Sequence, residues 1–140
     1  MKQTTTILEP FALDTNVLIY LEGDDISKRK IAETLLSYSP VIPSQVITEF
    51  INVTRRLRKI PKLQLIVEAS ALFRHCVIPP LKHSTLDLAK KLIDRYDFQI
   101  FDSIVVALAI EANCVTLYSE DMQHNLTVFR QLTIINPFIK

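Results

Sequence analysis

Short apolar segments alternate with longer amphipathic segments along this chain, and the alternation is the feature that most restricts its fold. Apolar residues spaced three or four positions apart indicate helices, whereas short apolar runs bounded by turn-forming residues indicate buried strands. Strands that alternate with helices form a parallel sheet with helices on both faces. The expected strands are Phe11–Leu13, Pro40–Pro43, Cys76–Pro79, Cys114–Tyr118 and Leu132–Asn136, and the expected helices are Asp25–Tyr38, Ser44 to about Arg58, Lys62–Arg74, Ser84–Tyr96 and Ile100–Ala112.

Several acidic residues interrupt this pattern at one end of the expected sheet. Asp14 and the pair Glu120–Asp121 each follow a strand, and Asp102 lies in the first turn of a helix that is otherwise apolar on nearly every side. Glu49 lies at the edge of the apolar stripe of the helix that we expect Ser44 to cap. Because strand ends and the helix starts that follow them share one side of such a sheet, we expect these acids to converge there.

Clustered carboxylates raise one another's pKa unless a cation compensates their charge. Oxygen ligands favour hard ions, so this cluster predicts Mg²⁺ or Mn²⁺ rather than zinc. Ions of this kind activate water and stabilise the hydrolysis of phosphate esters. Each acid also has a structural alternative, because Asp14 can cap a turn, Asp102 can stabilise a helix N-terminus and Glu49 can be solvated.

The composition excludes several other kinds of site. The chain has a single glycine, Gly23, and phosphate-binding loops need several glycines for close backbone approach. Two cysteines, Cys76 and Cys114, are too few for a disulfide framework and are expected to be buried, reduced thiols. A net charge of +1 leaves attraction to nucleic acid to a local basic patch.

The same data predict a single domain over residues 1–140 and a cytoplasmic location. The longest apolar run, Ile104–Ile110, is far shorter than the roughly 20 residues that span a bilayer. The N-terminal residues contain no apolar core of the kind that a signal peptide requires.

Four segments resemble the PIN-domain ribonucleases, and more narrowly the VapC toxins of bacterial toxin–antitoxin pairs. The segment ALDTNVLIY is similar to the family's first strand with its Asp-Thr-Asn, and SQVITEF is similar to the helix of the second acid. The segment IFDSIVVALAIEANC resembles the buried helix headed by the third acid, and LYSEDMQHN with LTIINPF resembles the closing segment. The matches occur in the family's order and extend from Ala12 to Phe138.

The resemblance implies a three-layer α/β/α sandwich with a central parallel sheet of about five strands, and a Mg²⁺- or Mn²⁺-dependent endoribonuclease. It also implies a homodimer and a cognate antitoxin that blocks the active site. The catalytic, metal-binding acids it implies are Asp14, Glu49, Asp102 and Asp121. It therefore selects Asp121 over its neighbour Glu120, a choice that the residues alone leave open. Asn16 and Ser119 are expected to support the ligands; Ser119 stands where many relatives have threonine.

Other residues have two interpretations. The basic cluster Arg55–Lys62, with Arg55, Arg56, Arg58 and Lys59, either contacts RNA phosphates or stabilises a helix C-terminus at a solvated face. His124 is expected to form local hydrogen bonds in a turn, Asn125 to tolerate left-handed backbone, and Tyr20 to lie near the site.

Two other functions remain as alternatives. One is a non-catalytic RNA- or protein-binding module on a PIN-like fold, against which the complete set of acids argues. The other is a phosphatase of the haloacid dehalogenase type, which requires a second aspartate where Asn16 stands.

Overall fold

A computed structural model describes residues 9–139 as an α/β fold built on a mostly parallel sheet. Its four strands are β1 (Phe11–Leu13), β2 (Thr116–Tyr118), β3 (Thr127–Val128) and β4 (Leu132–Ile135), in the order β1-β2-β4-β3. The strand β2 pairs in parallel with both β1 and β4, whereas β3 pairs antiparallel with β4. The predicted α/β class is therefore confirmed, with one antiparallel edge strand that the sequence did not indicate.

The expected count of about five strands is wrong for a specific reason. The segments predicted as strands at Pro40–Pro43 and Cys76–Pro79 form only single-residue bridges, in which Val41 pairs with Ala12 and with Val77. Prolines lack the backbone N–H that a strand ladder requires; Pro40 and Pro43 enclose the first segment and Pro79 and Pro80 end the second, so the pairing does not extend.

Six helices pack around the sheet within the described residues; five of them agree closely with the predicted helices, and the short α1 was not predicted. They are α1 (Thr15–Leu18), α2 (Ile26–Ser37), α3 (Ser44–Arg58), α4 (Lys62–Leu72), α5 (His83–Tyr96) and α6 (Ile100–Glu111), and a short 3-10 turn follows α1 at Ile19–Glu22. The prediction that Ser44 caps α3 is wrong, because Ser44 is its first helical residue and Pro43 is the N-cap. Pro43 has a fixed φ and an extended backbone, and α3 begins directly after it without a hydrogen bond from a capping side chain.

The core contains most of α6, as the apolar character of that helix predicted, together with residues of the sheet and of α1, α2, α3 and α5. Residues 105–109 of α6 are all buried, whereas Ile100 and Phe101 in its first turn are exposed. Cys114 is buried and Cys76 only partly so, and both are free thiols. None of the helices within residues 9–139 is long and apolar enough to cross a membrane.

Candidate metal site

A cavity of about 540 Å³ lies beyond the carboxyl ends of β1 and β2, and all four predicted acids line it. Asp14 directly follows β1, Glu49 comes from the second turn of α3, Asp102 from the first turn of α6, and Asp121 from the loop after β2. We call this space, lined by Asp14, Glu49, Asp102 and Asp121, the acid cavity. The structure therefore brings together residues that are separated by as many as 107 positions in the chain, from Asp14 to Asp121.

Asp14 is the most enclosed of the four, with only 6% of its surface exposed. Its Oδ1 accepts a hydrogen bond from the backbone N–H of Thr15 at 2.8 Å, and its Oδ2 accepts one from the Ser119 hydroxyl at 2.9 Å. The first bond makes Asp14 the N-cap of α1, which is the structural role considered from the sequence. Capping and lining the cavity are thus two roles of one carboxylate.

Asn16 connects two of the acids through one amide nitrogen. Its Nδ2 lies 3.3 Å from Asp14 Oδ2, 3.2 Å from Asp121 Oδ2 and 3.3 Å from Ser119 Oγ. Its Oδ1 accepts a hydrogen bond from the backbone N–H of Glu120 at 3.0 Å, which fixes which end of the amide faces the acids. Asn16 and Ser119 therefore form hydrogen bonds with the acids, and their supporting role in metal binding stays a prediction.

Glu49 is exposed, and its carboxylate is oriented by a residue that the sequence did not single out. The Thr15 hydroxyl donates to Glu49 Oε2 at 3.1 Å. Thr15 is itself buried and adjacent to Asp14. The short segment 14–16 therefore supplies Asp14 and also contacts Glu49 through Thr15 and Asp121 through Asn16. The only indication in the sequence was the position of Thr15 within the Asp-Thr-Asn motif.

Burial and mutual repulsion raise the pKa of two of the carboxyls. The pKa of Asp14 is raised to about 6, chiefly by desolvation. The charges of Asp102 and Glu49 also raise it, whereas the hydrogen bonds from Thr15 and Ser119 lower it. The pKa of Asp102 is also raised, first by desolvation and then by the charges of Glu49 and Asp121. These shifts indicate a negative site that favours either protons or a cation.

Glu120 and Asp121 are neighbours in sequence but have different surroundings. Asp121 is exposed and lines the acid cavity, whereas Glu120 accepts hydrogen bonds from Lys28 Nζ at 2.8 Å and from the Tyr20 hydroxyl at 2.6 Å. Lys28 Nζ also lies 4.6 Å from the Tyr20 ring centre and 5.3 Å from that of Phe138. We call Tyr20, Lys28, Glu120 and Phe138 the lysine cluster; Tyr20 was expected near the site, whereas Lys28 was not.

The donor chemistry of the acid cavity fits a hard divalent cation. Carboxylate oxygens are the ligands that Mg²⁺ and Mn²⁺ prefer, and no salt bridge within residues 9–139 pairs the four acids with Arg56, the one cation among the described residues that line the cavity. Among residues 9–139, however, no three histidine, cysteine, aspartate or glutamate side chains stand close enough to form a complete ligand set. The exposed side chains of Glu49 and Asp121 would have to turn inward to bind an ion together with Asp14.

The basic cluster divides into residues with different roles. Arg58 pairs with Glu22 at 2.8 Å and with Glu68 at 3.0 Å, and Arg55 donates to Asn52 on its own helix. Lys59 is the exposed residue that ends α3 in left-handed backbone. Arg56 alone of these four lines the acid cavity, so the structure separates one arginine from the predicted group.

Two smaller predictions concern the loop after β2. His124 lies in a turn, as expected, but its Nδ1 accepts a hydrogen bond from the backbone N–H of Asn136 at 2.9 Å, beyond β4, instead of a local one. Asn125 has a φ of 69°, in the left-handed region that asparagine tolerates.

The fold and the cavity together define an α/β protein whose acids meet at the carboxyl edge of a mostly parallel sheet. The PIN domain family model matches residues 11–128, and the chain therefore belongs to the PIN domain family. The resemblance to this family seen in the sequence is confirmed. The sequence matches no curated relative, so further comparison depends on solved structures.

Three solved structures illustrate that comparison. A toxin–antitoxin complex from Klebsiella pneumoniae has a TM-score of 0.68 at 16% identity, covering 91% of this chain and 97% of that one. VapC20 of Mycobacterium tuberculosis, a toxin that cleaves the sarcin-ricin loop, has a TM-score of 0.62 at 16% identity over 79% and 89%. VapBC2 from Rickettsia felis, bound to a DNA fragment from its promoter, has a TM-score of 0.62 at 18% identity over 89% and 96%. At these identities the likeness establishes the fold.

Proposed function

We propose that this protein is a Mg²⁺- or Mn²⁺-dependent endoribonuclease that hydrolyses RNA phosphodiester bonds. The observation that carries the proposal is the convergence of Asp14, Glu49, Asp102 and Asp121 on one cavity at the carboxyl edge of the sheet. A bound divalent ion would supply an activated water and would stabilise charge on the phosphate. No histidine lines the cavity among the described residues, so the acids are the groups to which that chemistry falls.

The residues of the chain have distinct roles in this proposal. The four carboxylates would hold the ion, and their number favours a divalent over a monovalent cation because their combined charge needs more compensation. Asn16 keeps Asp14 and Asp121 together through its amide nitrogen, and Ser119 and Thr15 orient Asp14 and Glu49 through their hydroxyls. These donors occupy some of the carboxylate lone pairs, and the lone pairs that remain are available to an ion in the cavity.

We further propose that the protein acts in the cytoplasm as the single-domain toxin of a type II toxin–antitoxin pair, as a homodimer inhibited by a cognate antitoxin. The support is the likeness of the fold to a VapC toxin and to two toxin–antitoxin complexes. Exposed apolar side chains on α3 and α4 provide surface for such a protein partner. They are Leu57, Leu63, Ile66 and Val67.

Cleavage of total RNA tests the enzymatic proposal directly. The purified protein should cut RNA with Mg²⁺ or Mn²⁺, should stop on addition of EDTA, and should lose activity in the Asp14→Asn variant. Either ion should also raise the melting temperature of the wild type, a readout that does not depend on the substrate. RNA that is bound but left intact with both ions would support the alternative, a non-catalytic binding module.

A further inference from the structure

Phe101 differs from every other phenylalanine of the protein. All seven phenylalanines lie within the described residues, and six of them are buried or partly buried and form an aromatic pair. Phe101 has no aromatic partner among residues 9–139, and 64% of its surface is exposed. Exposing a phenylalanine ring to water forfeits the favourable burial that the other six obtain, so packing within the chain does not explain this position.

The position of Phe101 links it to the acid cavity. It precedes Asp102 in the first turn of α6, and it is the one aromatic side chain among the described residues that line the cavity. The adjacent Ile100 is equally exposed, at 67%, but lines a separate apolar cavity between α5 and α6. The two neighbours therefore project to different sides of the same helix end.

A cation lines the same cavity from α3. Arg56 is exposed and forms no ion pair within the part of the chain that the structure describes. Gln45, Thr48 and Asn52 precede it along the cavity wall, at spacings that place them on one face of α3 with Glu49. The cavity thus combines an aromatic ring, a guanidinium and neutral hydrogen-bonding groups around its acids.

We propose that Phe101 stacks on an unpaired RNA base beside the scissile phosphate while Arg56 contacts a neighbouring phosphate. An aromatic face next to a cation is the combination that binds single-stranded nucleic acid, because the ring contacts the base and the cation the backbone. Bases inside a duplex are stacked on one another and cannot place a face against Phe101. The substrate is therefore an unpaired segment, and the inference rests on the proposed ribonuclease function.

Binding of short single-stranded RNA oligonucleotides of mixed sequence, containing 2-aminopurine, tests this role. Binding is measured with Ca²⁺ in place of Mg²⁺, and 2-aminopurine fluorescence falls when the base stacks. Phe101→Ala should weaken binding by about 5- to 150-fold, the range for loss of one base–aromatic stack, and should abolish the fluorescence decrease. Phe101→Trp should retain both, and the same strands annealed to their complements should bind equally well to wild type and Phe101→Ala.

Ile100→Ala is the matched control, since it removes an equally exposed apolar side chain one residue away. It should leave binding unchanged, whereas an equal loss in both variants would mean that a general apolar surface is involved and would overturn the proposal. Full affinity in Phe101→Leu would also overturn it, because leucine supplies apolar area without an aromatic face. A changed oligomeric mass in Phe101→Ala with normal RNA binding would instead assign Phe101 to a protein interface.

Cleavage kinetics separate this inference from the proposed function. If the wild type cleaves RNA and Phe101→Ala cleaves it with unchanged KM, the stacking role is wrong and the ribonuclease stands. If Phe101 governs binding of unpaired RNA but neither ion supports cleavage, the stacking role stands and the ribonuclease fails. The expected result is a higher KM in Phe101→Ala with kcat little changed, and a similar but smaller rise in Arg56→Gln.

Discussion

The acid cavity and the lysine cluster lie side by side at the end of β2, and the pKa values of their carboxyl groups are shifted in opposite directions. In the acid cavity, desolvation and neighbouring acids raise the pKa of Asp14 and Asp102. In the lysine cluster, desolvation of Glu120 is outweighed by its bonds to Lys28 and Tyr20, so its pKa is lowered.

The difference shows where the compensating charge comes from. Glu120 has its cation within the fold, at 2.8 Å, whereas none of the four cavity acids forms an ion pair among the described residues, although Arg56 lines the same cavity. The hydrogen bonds that Asp14, Glu49 and Asp121 accept come from neutral donors, which under the proposed function leaves the charge of the cavity to be balanced by a bound cation. The two groups are also connected, since the Glu120 backbone N–H orients Asn16.

The largest expected effect comes from removing one charge of the acid cavity. Asp102→Asn should reduce cleavage by at least about a hundredfold, because even partners that only orient metal ligands cost about 10- to 100-fold. The melting temperature without metal should not fall, since the substitution removes a charge that raises the pKa of Asp14. Asp94→Asn, at an exposed position on α5, is the control for cleavage assays; an equal loss there would refute the assignment.

The pH dependence of stability should distinguish the two groups. The pKa of Asp14 is raised from 3.8 to about 6 on folding, so its contribution to stability is fully present below pH 3.8 and is lost as pH rises through about 6. The metal-free protein should lose about 3 kcal/mol of unfolding free energy from this residue over that interval. Denaturant titrations in EDTA should show the loss in the wild type and a flatter profile in Asp14→Asn; parallel profiles would contradict it.

A smaller difference should separate the two neighbouring acids. Asp121→Asn should reduce cleavage or metal affinity by about 10- to 100-fold, and Glu120→Gln should do so clearly less, because only Asp121 lines the acid cavity. Metal affinity can be followed by the ion-induced rise in melting temperature. An equal or reversed ranking would mean that Glu120 is the fourth acid.

The smallest effect is expected from the lysine cluster itself. Lys28→Met should raise the pKa of Glu120. It should affect the orientation of Asn16 only through the Glu120 backbone N–H that donates to Asn16, so cleavage should fall by less than about tenfold. The pH dependence of stability should also change. In the wild type, the lowered pKa of Glu120 contributes stability that is lost as pH falls, and this contribution should be smaller without Lys28. Lys30→Met on the same helix is the control and should match the wild type in both assays.

Local pattern was enough to predict most of the elements and three acids of the acid cavity, whereas the choice of Asp121 over Glu120 came from the resemblance to the PIN-domain family. The reason is that Asp14, Asp102 and Asp121 each stand next to a strand end or helix start, and parallel strands bring such positions together. The segments at Pro40–Pro43 and Cys76–Pro79 were wrongly predicted as full strands, because a short apolar run does not show whether its backbone N–H groups are free to pair. β3 was missed because a strand of two residues has no alternation to read.

Contacts between distant side chains could not be predicted in the same way. The pairing of Lys28 with Glu120 spans 92 positions, and no periodicity relates them. The separation of Arg56 from Arg55 and Arg58 depends on how α3 is rotated against its neighbours, which a row of adjacent basic residues does not encode. Phe101 read as part of a buried helix, and only its exposure showed that its ring faces outward.

The order of the four acids along the chain also determines when the acid cavity can be completed during synthesis. Asp14 is made early, Asp121 is made late, and β4, which pairs with β2 beside the cavity, is later still. A ribosome-bound chain that ends before residues 132–135 lacks the strand that holds the loop of Ser119 and Asp121, through the bond from Ser119 N–H to the Ile135 carbonyl. Under the proposed function, a chain made in this order gains a complete acid cavity only after translation of the strand that holds the loop of its last acid.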